Sequence, residues 1–227
     1  MLSPSSDIAT VGLRAAPTRL SARLAPGVHP DALRAFEQAR ETFVSGRRID
    51  MGGLAAELGV DRTSVFRWVG NRDALLCEVL WSLAVPTLVL AEHAAADSVI
   101  TDAAGTAHDD AAAPAGGATY VAVLLTQFAT DLIQADYFRT FLDREPTRAL
   151  RLMTTTAAPI QRRYVATVEH LVRRHLGPAP FDGAIEAHAL AYLLVRVSES
   201  FTYADLIAGE PPSPQAAGAA FRHLLRV

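Results

Sequence analysis

Two guanidinium groups and two hydroxyls crowd into one short stretch, at Arg62, Thr63, Ser64 and Arg67. These are groups that can read a DNA duplex. An arginine fits the edge of guanine with two parallel hydrogen bonds, and a hydroxyl reaches a base edge or a phosphate. They need a helix to carry them into the major groove, and the surrounding residues supply one. Residues 51–58 read as a short helix, Gly59 as a break, 61–69 as a second helix and Asn71 as the opening of a third. Asp50 and Asp61 are suited to N-caps, because a short carboxylate accepts hydrogen bonds from first-turn amides. Gly59 can take the left-handed conformation that turns one helix into the next. Leu54, Ala55 and Leu58 form one apolar stripe, Val65 and Val69 another, and Val60 can pack in the angle. The outer side of the second helix is left to Arg62, Thr63, Ser64 and Arg67.

From Gly59 to Leu76 the chain resembles the DNA-binding signature of the TetR family of one-component repressors. There a glycine turn leads into a recognition helix, an aromatic-x-His-Phe ending and a Ser/Asn-Lys-Glu start of the next helix with paired leucines. The residues here are Val65, Phe66, Arg67, Trp68 and Val69, then Asn71, Arg72 and Asp73, then Leu75 and Leu76. Phe66 stands where tyrosine is usual and has no hydroxyl for a phosphate. Trp68 replaces histidine, Arg72 replaces lysine, and Asp50 stands where threonine is common. These departures bear on individual phosphate contacts more than on the fold. The run Phe66 to Arg72 also resembles an actinobacterial branch named for regulating the breakdown of lactone quorum signals. The resemblance covers about residues 30–80. Short helix-turn-helix look-alikes arise by chance, but here the turn glycine, the aromatic ending and the next helix start are all in register. The expected DNA-facing set is Arg47, Arg48, Arg62, Thr63, Ser64, Phe66, Arg67, Trp68 and Arg72.

Length and composition suit a small domain followed by a larger one, since 227 residues with 50% hydrophobic and 7% aromatic content favour an Ala-, Leu- and Val-rich helical core. All 21 basic residues are Arg, a chain-wide bias that proves nothing about DNA. The net charge of −3 is not that of a generally basic nucleic-acid binder. Residues 1–80 hold 10 Arg against 9 acidic residues, net +1, and the remainder 11 against 15, net −4. Binding therefore depends on where charges sit. The lone Cys77 excludes an internal disulfide framework and fits a reducing cytosol; inside an apolar helix it reads as a packed, inert thiol. No run approaches 18 uninterrupted apolar residues, so a soluble, cytoplasmic protein is expected.

The expected fold class is all-α: a three-helix helix-turn-helix domain over 29–80 and a larger helical effector-binding and dimerisation domain over 81–227. Residues 1–28 read as an arm without fixed structure, whose Arg14, Arg19 and Arg23 could enter the minor groove or stay solvated. A helix opens at Pro30 with Leu33, Phe36, Ala39 and Phe43 at helical spacing and ends near Gly46. Gly52 and Gly53 are unexpected in a helix; close approach to a DNA backbone would account for them, and so would drift. The helix from Asn71 runs to about 84, where one rod could touch both DNA and the second domain. Arg72 beside its N-terminus offers a phosphate site. Pro86 is expected to interrupt it. Residues 97–117, with four Asp and no aromatic or basic residue, read as a mobile loop. Further helices are expected over 118–134, 137–143, 146–154, 159–176, 184–208 and 215–226. The 184–208 segment is apolar nearly all round, which calls for burial on two faces, and the two closing helices of each subunit could form a four-helix dimer interface, as the resemblance also implies.

Tyr192, Arg196, Glu199 and Tyr203 follow one stripe of that segment. An Arg196 to Glu199 ion pair with packed tyrosines explains them, or a contact across the dimer. So does an effector pocket whose walls include Phe128, Phe141 and Met153 and which would suit a hydrophobic carbonyl compound or lactone. His170 and His175 are five apart and face different sides of a helix, so no metal site is expected. No nucleophile elbow, phosphate loop or paired carboxylates appear, so neither an enzyme nor a cofactor is expected. The expected function is a homodimeric, ligand-responsive regulator that binds an operator in double-stranded DNA as a repressor. The alternative is a helical protein-interaction adaptor with a vestigial DNA-binding head.

Overall fold

The computed structural model of the chain describes residues 4–105, 116–177 and 185–227. All regular structure among the described residues is helical: α1 (Pro4–Ala15), α2 (Arg19–Arg23), α3 (Pro30–Val44), α4 (Met51–Leu58), α5 (Arg62–Val69), α6 (Arg72–Gly105), α7 (Gly116–Gln134), α8 (Asp136–Arg144), α9 (Pro146–Thr154), α10 (Ile160–Leu176), α11 (Ala187–Thr202), α12 (Ala204–Ile207) and α13 (Pro214–Leu225). They fall into two compact units. The head unit is Gly12–Ala84 with Ala135–Arg163; the second unit is Met1–Val11, Val85–Gln134 and Tyr164–Val227.

In the head unit, α3 turns Ala32, Ala35, Ala39 and Phe43 inward and packs against α4 and α5. Three small side chains on this face let the helices approach closely. Phe43 closes the layer, its ring edge-on to Tyr137 at 5.9 Å and to Phe141 at 5.5 Å. Through these contacts α8 joins the head, together with α9. The expected boundary at residue 80 is thus corrected: the head also takes 135–163 from later in the chain. Spacing along the sequence could not show this, because the joining contacts span about a hundred residues.

The expectation of an unstructured 1–28 arm is overturned as well. Residues 4–15 and 19–23 are helical, and Ile8, Ala16 and Leu20 are buried. Thr18 caps α2 in a reciprocal capping box with Ser21. Thr18 also donates its hydroxyl to Glu78 at 2.5 Å. Glu78 in turn receives both terminal nitrogens of Arg163, at 2.9 and 2.8 Å, and Arg163 Nε donates to the Ala16 carbonyl at 3.0 Å. Arg163 is fully buried and lies over the Trp81 ring at 5.6 Å. The order of this segment comes from distant partners and leaves little local pattern.

In the second unit α7 is central, burying Val121, Ala122, Leu124, Leu125, Phe128 and Ala129. α13 and α11 pack against it. Helix α10 buries Val165, Val168, Leu171 and Val172 while Arg173 stays exposed. The segment expected as one helix over 184–208 is described from 185 and divides at Tyr203 into α11 and α12.

Helix α6 is longer than expected. Pro86 lies inside it, although a proline removes one backbone donor and crowds the preceding turn. The expected loop over 97–117 is corrected at both ends, since 97–105 belong to α6 and 116–117 to α7; residues 106–115 lie outside the described residues. By length and composition α6 could cross a membrane. Its apolar side chains Leu75, Leu76, Val79, Leu80, Leu88, Ala91 and Ala95 are buried within the protein, and Cys77 is buried with them, its thiol pushed up to about 12 by desolvation. That thiol is protonated and inert.

Candidate nucleic-acid interface

Helix α5 is set by its two ends and its one buried stripe. Asp61 is the N-cap: its carboxylate accepts from the Ser64 amide at 2.9 Å, from the Ser64 hydroxyl at 2.9 Å and from the Thr63 hydroxyl. The Thr63 hydroxyl and then these Ser64 bonds hold the Asp61 carboxyl down at about 2. Val65 and Val69 are buried, while Arg62, Thr63, Phe66 and Arg67 are exposed. The outer face read from the sequence is therefore the face the head unit presents. Arg62 stacks over Phe66 with its guanidinium carbon 5.3 Å from the ring centroid. Arg67 Nη2 lies 3.4 Å from the Ser64 hydroxyl.

Burial and capping change what each group can offer. The Thr63 and Ser64 hydroxyls donate to Asp61, which leaves each of them only acceptor capacity for a further partner. Arg62 and Arg67 are the outward-facing donors on this helix. Phe66, without a hydroxyl, supports Arg62 by its ring. Trp68 is half-buried and meets His29 edge-on at 6.5 Å, which ties the end of α5 to the N-cap residue of α3.

The preceding helix is built in the same way. Asp50 accepts from the Gly53 amide at 2.6 Å and its carboxyl is lowered chiefly by that bond. A Cβ on Gly52 would sit 3.2 Å from the Asp50 carboxylate. The crowded cap accounts for Gly52; at Gly53 a Cβ would meet the same carboxylate at an ordinary 3.5 Å. Gly59 takes φ 69 and ψ 31, the left-handed turn expected of it.

Arg47 and Arg48 are exposed at the entrance to α4. Arg47 Nε donates to the Ser45 hydroxyl at 3.0 Å, and its head lies 4.0 Å from Glu57. Arg48 lies 3.5 Å from Glu145. Arg72 does not face outward, which corrects its expected place among the phosphate contacts. Its Nε donates to the Ile49 carbonyl at 2.6 Å and its terminal nitrogens grip Glu145 at 2.6 and 2.5 Å. The Glu145 carboxyl is lowered first by that hydrogen bond. Asp73 beside it binds Arg148 and Arg151. Arg23 is also committed inward: it donates to the main-chain carbonyls of Trp68, at 2.6 Å, and Arg67. Neither arginine could be placed from sequence spacing, since their partners lie 23 to 73 residues away.

The expected effector residues are divided. Phe141 and Met153 are buried in the head unit, where Phe141 packs on Phe43. Helices α8 and α9, which carry them, are held to α3 and to the start of α6 by aromatic and ionic contacts. Phe128, Tyr192, Arg196, Glu199 and Tyr203 belong to the second unit. Tyr192 is 52% exposed on the outer face of α11, so it does not line that unit's interior. Arg196 pairs with Glu199 at 2.6 Å, and Glu199 and Tyr203 are buried. Beside them stand two residues the sequence reading missed as site candidates, Tyr164 and Ser198. The Tyr164 hydroxyl donates to the Ser198 hydroxyl at 3.4 Å, and its ring lies 5.4 Å from that of Phe128. Burial pushes the phenols of Tyr164 and Tyr203 well above the ordinary tyrosine value, so both stay protonated. Among the described residues no three His, Cys, Asp or Glu side chains converge as a metal site requires.

Residues 116–226 match the family model of a tetracycline-repressor-like C-terminal domain. Among solved structures, one described as the R. erythropolis transcriptional repressor QsdR from the TetR family has a TM-score of 0.63 and 22% identity to this chain, covering 87% of this chain and 95% of its own. That likeness establishes the fold. No curated protein matches the sequence.

Proposed function

We propose, from the match of residues 116–226 to a tetracycline-repressor-like C-terminal domain and from the likeness of the fold, that the chain is a TetR-family regulator, a homodimeric repressor released from a pseudo-palindromic operator by a small hydrophobic effector. The observation that carries the DNA-binding part is α5: a helix held by Val65 and Val69 from behind, with Arg62 and Arg67 exposed in front. Two such helices, one per protomer, enter successive major grooves about 34 to 36 Å apart. Arg47 and Arg48 add cationic groups beside them.

The second unit takes the effector. Phe128 and Tyr164 supply ring surface, and the polar groups of Ser198 and Tyr203 stand beside it, a mixed lining that suits a hydrophobic carbonyl compound such as a lactone. The outer face of α11, with Tyr192 and Leu193 exposed, together with α13, forms the dimer contact. Helix α6 belongs to both units. An effector that binds one of two conformations more tightly weakens operator binding by a coupling of about 1 to 3 kcal/mol. The working compartment in this reading is the cytoplasm.

Selection from a random-sequence duplex pool with the full-length protein tests this. The expected product is a sequence with two-fold symmetry and half-sites one helical turn, or a multiple of it, apart. A pool that stays random after repeated rounds rejects operator recognition and favours a protein-interaction adaptor.

A further inference from the structure

Helix α5 has only eight residues. Helices that short do not stand alone, because nucleation is costly and the last carbonyls lack partners. Its first turn is closed by Asp61, but its other end lacks the usual closure. In α4 the left-handed Gly59 returns two amides, Gly59 to the Ala56 carbonyl at 3.1 Å and Val60 to the Ala55 carbonyl at 3.0 Å. At the end of α5, Gly70 has φ 79 and ψ −151, outside that conformation. Its amide reaches the Phe66 carbonyl at 2.9 Å. The next two carbonyls, of Arg67 and Trp68, are taken by a side chain from elsewhere, the guanidinium of Arg23.

We propose that Arg23 is a positioning residue for DNA recognition, closing the C-terminal end of α5 and fixing the backbone of Arg67, whose side chain faces the duplex. A cation there also meets the partial negative charge of the helix end. The segment carrying Arg23 is itself fastened, since Thr18 at the cap of α2 donates to Glu78 and Arg163 binds both Glu78 and the Ala16 carbonyl. The buried Arg163 and Glu78 pair thus holds the support of the recognition helix. Arg23 acts on how α5 fits its site and leaves the number of neutralised phosphates unchanged.

This inference rests on the DNA-binding reading, and the test separates the two. Wild type, Arg23→Met and Arg23→Lys, all full length, are titrated against the duplex enriched by selection and a scrambled duplex of equal length over a range of salt. Amide hydrogen exchange over residues 62–69 is measured without DNA. Arg23→Met is expected to lose roughly tenfold in affinity for the enriched duplex, the scale of one or two capping hydrogen bonds. Its affinity for the scrambled duplex and its salt slope stay as in wild type, and exchange in 62–69 speeds up. Arg23→Lys regains most of the loss, because an ammonium still donates to a carbonyl. Unchanged affinity and exchange overturn the proposal. Equal loss on both duplexes with the salt slope reduced by about one also overturns it, since that marks a phosphate contact. Should Arg23→Met fail to fold, Arg23→Gln, whose shorter side chain does not span to both carbonyls, decides: faster exchange confined to 62–69 supports the proposal, and unchanged exchange there or faster exchange throughout the head unit overturns it. If wild type enriches no duplex, the operator reading fails while the exchange measurement still tests the closure of α5.

Discussion

Arg163 is a cation with no solvent contact, and it is tolerable because each part of it has a partner. Glu78 takes its two terminal nitrogens, Ala16 takes Nε, and the Trp81 ring lies against the guanidinium. Removing one member of such a pair strands the other charge. Arg163→Met should therefore lower the unfolding free energy by about 3 to 5 kcal/mol in urea titration; a loss below about 1 kcal/mol would mean that Glu78 finds water or another donor. Residues of this kind were illegible in the sequence. Glu78 sits in an apolar run without a local mate, and its partner comes 85 residues later. The Arg72 and Glu145 pair, 73 residues apart, was hidden in the same way and misled the assignment of Arg72. Asp50, Gly59 and Asp61 were legible because their work is done within three residues of themselves.

At the scale of elements, the helix-turn-helix was readable because caps, turn and stripe are local. The extent of α6 through Pro86 was not, since neighbours override a local breaker. Close packing was equally invisible. Gly218 in α13 faces Thr126 of α7, and a Cβ there would sit 2.8 Å from the Thr126 hydroxyl oxygen and 2.9 Å from its methyl carbon. Thr126 cannot easily turn away, because its hydroxyl donates to the Ala122 carbonyl at 2.7 Å. Gly218→Ala gains up to about 1 kcal/mol of helix propensity. It also overpacks the interface, at a cost of about 1 to 3 kcal/mol. The balance should lower the thermal midpoint. A raised midpoint would show that α13 and α7 can separate at little cost.

For the whole molecule, the reading requires two copies. The outward side of α11 carries Tyr192 at 52% and Leu193 at 37% exposure, large apolar groups that a dimer contact would cover. Leu193→Asp should shift sedimentation from dimer to monomer and weaken operator binding with it, while leaving helical content intact. A variant that sediments as wild type would remove α11 from the interface. The all-helical class and the exposed face of α5 could be read from the chain alone, because periodicity reports buried faces. The composition of the head unit and the interior of the second unit could not, because both are made by contacts between distant segments.

The most direct test of the central claim is fluorescence anisotropy of the enriched duplex with wild type, Arg62→Ala and Arg67→Ala. Each substitution should cost about 1 to 3 kcal/mol on that duplex and much less on a scrambled one. Wild-type affinity retained by the Arg62→Ala, Arg67→Ala double variant would contradict the account, because α5 would then not be the surface that reads DNA.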